Sequence, residues 1–162
     1  MKKFSTKYFG ELEIDEGSEF EYIDLTYNND AMYLSFSGFN GEAEKTAQCI
    51  AIIDRYAELH EIAKKEIAEN YESNEVIRYY FKYHFETLDK ETLNELFGVS
   101  DFSSFSIEKA AEKLCAPDLE FLLESGEICI SADYRVSKEY SEEVLCVKMN
   151  EDLFVMDFTR EN

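Results

Sequence analysis

Apolar residues recur at two periods along this 162-residue chain, and the change of period divides it into three parts. Up to about residue 41 the period is two. Phe4, Thr6 and Tyr8 alternate with polar neighbours, Leu12 and Ile14 with Glu11 and Glu13, Ile23, Leu25 and Tyr27 with Tyr22, Asp24 and Thr26, and Met32, Leu34 and Phe36 with Tyr33, Ser35 and Ser37. Phe9-Gly10, Asp15 to Ser18 and Asn28 to Asp30 punctuate these runs as turns. The pattern predicts an antiparallel meander with one buried face, ended by Gly38 and Gly41.

From Glu42 the period lengthens. Cys49, Ile52, Ile53, Tyr56, Leu59, Ala63 and Ile67 recur at steps of three and four, opposite Asp54, Glu58, Glu61, Lys65 and Glu69. With no proline or internal glycine, this stretch predicts one long helix from Glu42 to Asn70, ~43 Å at 1.5 Å per residue, which would cross the whole domain. Ser73 is the expected cap of a second helix carrying Val76, Ile77, Tyr80, Phe81 and Phe85. Tyr79 and Tyr83 make that helix aromatic on all sides, which places it in the core or gives it a face at an interface; core packing is the favoured reading. Asp89 caps a third helix, with Leu88 stapled on Leu93 and Gly98 as the stop. Ser106 opens a fourth, through Leu114, and Pro117 bars its continuation.

Beyond Pro117 the period returns to two. Leu119 to Leu123 and Ile128 to Tyr134 flank Ser125-Gly126, and Val144 to Met149 and Leu153 to Phe158 flank Asn150-Glu151-Asp152, giving two hairpins. Strands over 1–41, helices over 42–116 and strands over 117–162 are the order of a single α+β domain. The expectation is one antiparallel sheet, built from N- and C-terminal strands and packed against the central helical segment with its long helix. Sharing one sheet is favoured because either group alone would leave an apolar edge to protect.

Composition supports a core that stands alone. Thirteen Phe and eleven Tyr, within a 45 % hydrophobic share, exclude disorder and make a metal or disulfide unnecessary for folding. Cys49, Cys115, Cys129 and Cys146 show no C-x-x-C pairing and read as buried reduced thiols of a cytoplasmic protein. No apolar run approaches the ~20 residues of a membrane span. The opening MKKFSTKYFGELEI lacks the apolar core of a secretory signal.

Charge changes the picture more. A net charge of −20 argues against direct nucleic-acid binding, which needs Lys and Arg to displace counterions. Between Lys7 and Lys45 lie ten acidic residues and no basic one; between Lys113 and Arg135 lie five, again with no base. Glu11, Glu13, Asp15, Glu16, Glu19 and Glu21 are therefore the candidate partner-binding residues, facing a basic protein. Strand periodicity aligns Glu11 with Glu13 and Glu19 with Glu21. Neutralisation by Lys2, Lys3 and Lys7 within the chain is the competing explanation, and the Asp118 to Asp133 hairpin is the next acidic surface.

No catalytic, metal or cofactor residue is assigned. His60-Glu61 is followed by Lys64 where a zincin needs its second histidine, and His84 sits in an aromatic run. Both are expected to be structural. The Asp15 to Glu19 turn lacks the alternating ligands of a calcium loop, and Gly38 to Gly41 lacks the spacing and lysine of a phosphate-binding loop.

Ser141 to Asp152 at the C-terminal hairpin, with Tyr8-Phe9-Gly10-Glu11-Leu12 near the start, resembles a family of small bacterial domains of unknown function. Members of such families occur among the immunity proteins of bacterial toxin systems. The motifs are structural, so the resemblance carries over no functional residue. The function expected is that of a non-catalytic interaction protein, and the resemblance implies an immunity protein that occludes a basic toxin such as a nuclease. The rival is a small-ligand-binding domain or enzyme whose site is assembled from scattered groups, with His60, His84 and the acidic loops converging.

Overall fold

The period-two stretches form strands and the longer-period stretches form helices, in the expected order. A computed structural model describes Met1–Asn162. Its first strands are β1 (Lys2–Thr6), β2 (Gly10–Ile14), β3 (Phe20–Tyr27) and β4 (Asp30–Ser37). The helices are α1 (Ala43–Ile53), α2 (Tyr56–Asn70), α3 (Glu75–Thr87), α4 (Lys90–Phe97) and α5 (Ile107–Glu112), with a 3₁₀ turn at Phe102–Ser104. The last strands are β5 (Asp118–Glu124), β6 (Glu127–Tyr134), β7 (Val144–Met149) and β8 (Val155–Glu161). This is one α+β domain.

The N- and C-terminal strands do share a sheet, in the order β3-β4-β5-β6-β7-β8. It is mixed rather than purely antiparallel. β4 and β5 run parallel, Leu34 beside Leu119, because the whole helical segment lies between them as a crossover. β1 and β2 pair only with each other, in a separate two-stranded ribbon. The β3-β4 and β5-β6 hairpins are tight. Asn28 and Asn29, then Ser125 and Gly126, all adopt positive φ, as two-residue turns matched to strand twist require.

The long helix is two helices. The break falls at Asp54 and Arg55, where the Arg55 backbone (φ −102°, ψ 20°) leaves helical geometry. Arg55 N–H reaches Ile52 instead of the carbonyl four residues back, which tightens the turn. The Asp54 carboxylate accepts the Lys7 N–H at 2.8 Å and ties the β1-β2 ribbon to the joint. The apolar period runs through the break unaltered: Cys49, Ile52, Ile53, Tyr56, Leu59, Ala63 and Ile67 are all buried. Periodicity alone could not reveal a joint that keeps the same face inward.

The cap of α3 also differs. Asn74, not Ser73, accepts from the N–H groups of Val76 and Ile77, while the Ser73 hydroxyl donates to Asn70. Asp89 caps α4 through Thr92 N–H, Gly98 ends it at φ 74°, and Ser106 caps α5, all as read.

Register across the sheet sorts its two faces. The row Ile23, Leu34, Leu119, Ala132, Val147, Phe158 points to the helices and forms the centre of the core. Tyr56 of α2 is buried there and donates its hydroxyl to the Pro117 carbonyl at 2.6 Å. The helices cover only this face.

Candidate binding face of the sheet

One position along each strand, the side chains turn to the opposite face. One row reads Tyr22, Ser35, Glu120, Ser131, Lys148, Asp157. The row beside it carries Asp118, Asp133, Cys146 and Thr159, and on the other side Phe20, Ser37, Leu122 and Cys129 follow one another. The face is thus graded, from an apolar end through a polar middle to a buried ionic end.

The ionic end is closed upon itself. Asp118, 2 % exposed, accepts from Arg135 Nη1 at 2.9 Å and from Tyr33 N–H at 3.0 Å, with Lys138 Nζ 3.6 Å away. A buried carboxylate with two cations and a backbone donor is satisfied. Asp133 is different. Its carboxylate accepts from the Ser131 hydroxyl at 2.5 Å, which in turn accepts from Lys148 Nζ at 3.1 Å. Burial raises its pKa from 3.8 to about 7; Glu120 adds to the rise, and Ser131, Cys146 and Lys148 oppose it. Next to it the Cys146 thiol is pushed up to about 12, by burial first and then by Asp133, so it is not a nucleophile at neutral pH.

The apolar end is open. Phe20 is 57 % and Tyr22 51 % exposed, and Leu122 lies beside them. Tyr22 stacks on Tyr33 with ring centroids 4.9 Å apart. The Tyr33 hydroxyl donates to Glu120 at 2.9 Å, and burial followed by this bond raises the phenol pKa. Phe20, Tyr22, Tyr33, Ser35, Glu120 and Leu122 together line a groove of about 370 Å³. Glu120 has no cation within salt-bridge distance, nor has Asp24 on the same strand as Tyr22.

The carboxylates singled out in the sequence lie elsewhere, on the β1-β2 ribbon and the turn that follows. Glu11 and Glu13 share one exposed face, as strand period requires. Lys3 Nζ sits 3.6 Å from Glu11 and 3.8 Å from Glu13, and Lys2 Nζ is 3.7 Å from Glu16. Asp15 and Glu21 hold the turn: Asp15 accepts from Gly17 N–H, and Glu21 accepts from Asp15 N–H. Glu19 is exposed, and its carbonyl accepts from Gly38 N–H. Two of the three N-terminal lysines therefore balance the patch from within.

The histidines do not converge with the acidic loops. His60 Nδ1 and the Tyr134 hydroxyl share a hydrogen bond at 2.8 Å, and burial followed by nearby Lys64 lowers the imidazole pKa to about 4. His84 donates through Nδ1 to the Tyr80 carbonyl at 2.8 Å and accepts through Nε2 from the Ser141 hydroxyl at 2.6 Å; burial lowers its pKa as well. Ser141 Oγ also accepts from Glu143 N–H, so the pair fixes the loop before β7. No helix is long and apolar enough to cross a membrane, and no group of three His, Cys, Asp or Glu is placed to hold a metal ion.

Comparison with models of protein families, with curated proteins and with solved structures finds no match for the chain. The open sheet face was not singled out from sequence, though the alternation of Tyr22, Tyr33 and Glu120 with core residues carries the information once strand order is known.

Proposed function

We propose that this protein is a non-catalytic interaction module that captures a basic protein partner on the open face of its sheet. The observation that carries the reading is Glu120: a carboxylate without a cation, held by the Tyr33 hydroxyl in a groove walled by Phe20 and Tyr22. A carboxylate between exposed aromatic faces is the chemistry that grips an arginine or lysine side chain, by ion pairing at one end and cation–π contact along the other. Rigid exposed aromatics such as these also supply the anchors that dominate interface energetics.

The six carboxylates from Glu11 to Glu21 act at longer range in this account. With the overall charge of −20 they draw a basic partner in, and the groove makes the close contact. A basic nuclease held inactive, the immunity role implied by the resemblance of the terminal hairpins, is the narrower form of the proposal. Cytoplasmic location belongs to that narrower form too.

The test uses surface-immobilised protein and a purified basic nuclease as analyte. Glu120→Gln with Tyr22→Ala should act mainly by accelerating dissociation, weakening binding by ~30-fold or more, the effect of losing a ~2 kcal/mol anchor. Glu11→Lys with Glu13→Lys should leave dissociation unchanged and reduce the association rate and its salt dependence. Equal dissociation from the sheet-face variant and the parent would move the contact off this face.

A further inference from the structure

On the helical side, a cleft of about 660 Å³ opens beside α3, the C-terminal end of α2 and β8. Its charge is opposite in sign to that of the chain. Arg78, Lys82 and Arg160 line it against a single carboxylate, Glu75. The chain has four arginines. Arg55 is paired with Glu58 and Arg135 with Asp118, whereas Arg78 and Arg160 have no carboxylate within salt-bridge distance. Both unpaired guanidiniums face this one cleft, in a chain with 36 acidic residues.

Each guanidinium is held in place with donors to spare. Arg160 Cζ lies over the Tyr79 ring, 3.9 Å from its centroid, a cation–π contact that positions the head group while its N–H groups have no protein acceptor. Arg78 Nη1 donates to the Tyr71 and Glu72 carbonyls at 3.3 and 2.5 Å, which anchors the head group while Nε and Nη2 have no protein acceptor. Lys82 follows one turn along α3, and its contact with Glu86, at 3.8 Å between two well-exposed side chains, is weak. Tyr71 and Phe102 add flat apolar walls.

We propose that this cleft binds a small phosphate-bearing planar ligand of the mononucleotide class. Three cations against one carboxylate suit a dianion, and guanidinium forks match phosphate oxygens two at a time. The aromatic walls suit a ring, and the volume lies within the ~300–1,000 Å³ usual for small-ligand sites. The site is separate from the sheet face, and the two proposals stand or fall independently.

Adenosine monophosphate, adenosine and inorganic phosphate are the probes, titrated into the full chain by calorimetry and by amide shifts of α3 and β8. Adenosine monophosphate should bind saturably, at least about tenfold more tightly than either fragment. Arg160→Gln with Lys82→Gln should weaken it by about tenfold or more while the protein stays folded, loss of the Arg160–Tyr79 contact lowering the melting midpoint only slightly. Absence of saturable binding up to ~10 mM would overturn the site. Adenosine binding as tightly as the nucleotide would overturn the role of the cations, and phosphate binding as tightly would overturn that of the aromatic walls. Full affinity in the double variant would place the ligand elsewhere.

Discussion

Replacing Asp133 by Asn should make the protein more stable at pH 8 and leave it nearly unchanged at pH 5. Asp133 is 5 % exposed on the sheet face, and burial raises its pKa from 3.8 to about 7. The folded protein therefore holds this proton more tightly than the unfolded chain does. Between pH 4 and pH 7 it binds more protons than the unfolded chain, so this residue's contribution to stability falls as pH rises through that window. At 1.36 kcal/mol for each tenfold change in proton affinity, the full displacement is worth ~4 kcal/mol, an upper bound. An amide at position 133 cannot copy every bond of the protonated carboxyl, and the imperfect exchange returns ~1 kcal/mol of the gain at every pH. A net stabilisation of ~2 kcal/mol at pH 8, shrinking to about zero by pH 5, is the expected result. Urea unfolding followed by far-ultraviolet circular dichroism at pH 5, 6, 7 and 8 measures it, since the chain has no tryptophan to report by fluorescence. Repulsion among the other carboxylates acts on parent and variant nearly alike and largely cancels in the difference. A difference between the two proteins that does not vary with pH would refute the reasoning.

Four further substitutions test the fold by the same unfolding assay. Tyr56→Phe removes the hydroxyl that donates to the Pro117 carbonyl and leaves that acceptor unpaired in the core, for a loss of ~1–2 kcal/mol. Asn74→Ala removes both side-chain bonds at the start of α3 and should cost ~1 kcal/mol, whereas Ser73→Ala should cost little. Gly38→Ala is expected to cost more than ~1 kcal/mol, because Gly38 has φ +84° and an added Cβ would stand 2.8 Å from the Leu123 carbonyl oxygen.

Much of the architecture was legible because local chemistry and tertiary packing agree. Ser125-Gly126, Asp89 with Gly98, and the alternating strands from Leu119 to Phe158 each carry their own start, stop and buried face, and the structure uses all of them. The joint at Asp54 and Arg55 was not legible. Neither residue breaks a helix, and the tie that marks the joint comes from Lys7, far away in sequence. Two strong capping residues stood side by side at Ser73 and Asn74, and propensity cannot choose between neighbours. The parallel pairing of β4 with β5 depends on how a long crossover closes, which no local pattern encodes. The same limit hid the candidate site. Glu120 is one acid among many until β4 brings Tyr33 against it and β3 sets Tyr22 upon Tyr33. The carboxylates that looked unopposed in sequence, Glu11, Glu13 and Glu16, are met by Lys2 and Lys3 once β1 folds onto β2.

The most direct test of the central claim is a map of where a cationic chain touches the protein. Amide and aromatic resonances are recorded as a peptide rich in arginine and lysine is titrated into the intact protein at physiological salt, where exposed charges more than ~8 Å apart are largely screened. The account predicts saturable shifts concentrated on Phe20, Tyr22, Tyr33, Ser35, Glu120 and Leu122, with only small changes at Glu11 and Glu13. Shifts spread evenly over the acidic surface, or centred on the β1-β2 ribbon and lost with added salt, would contradict it.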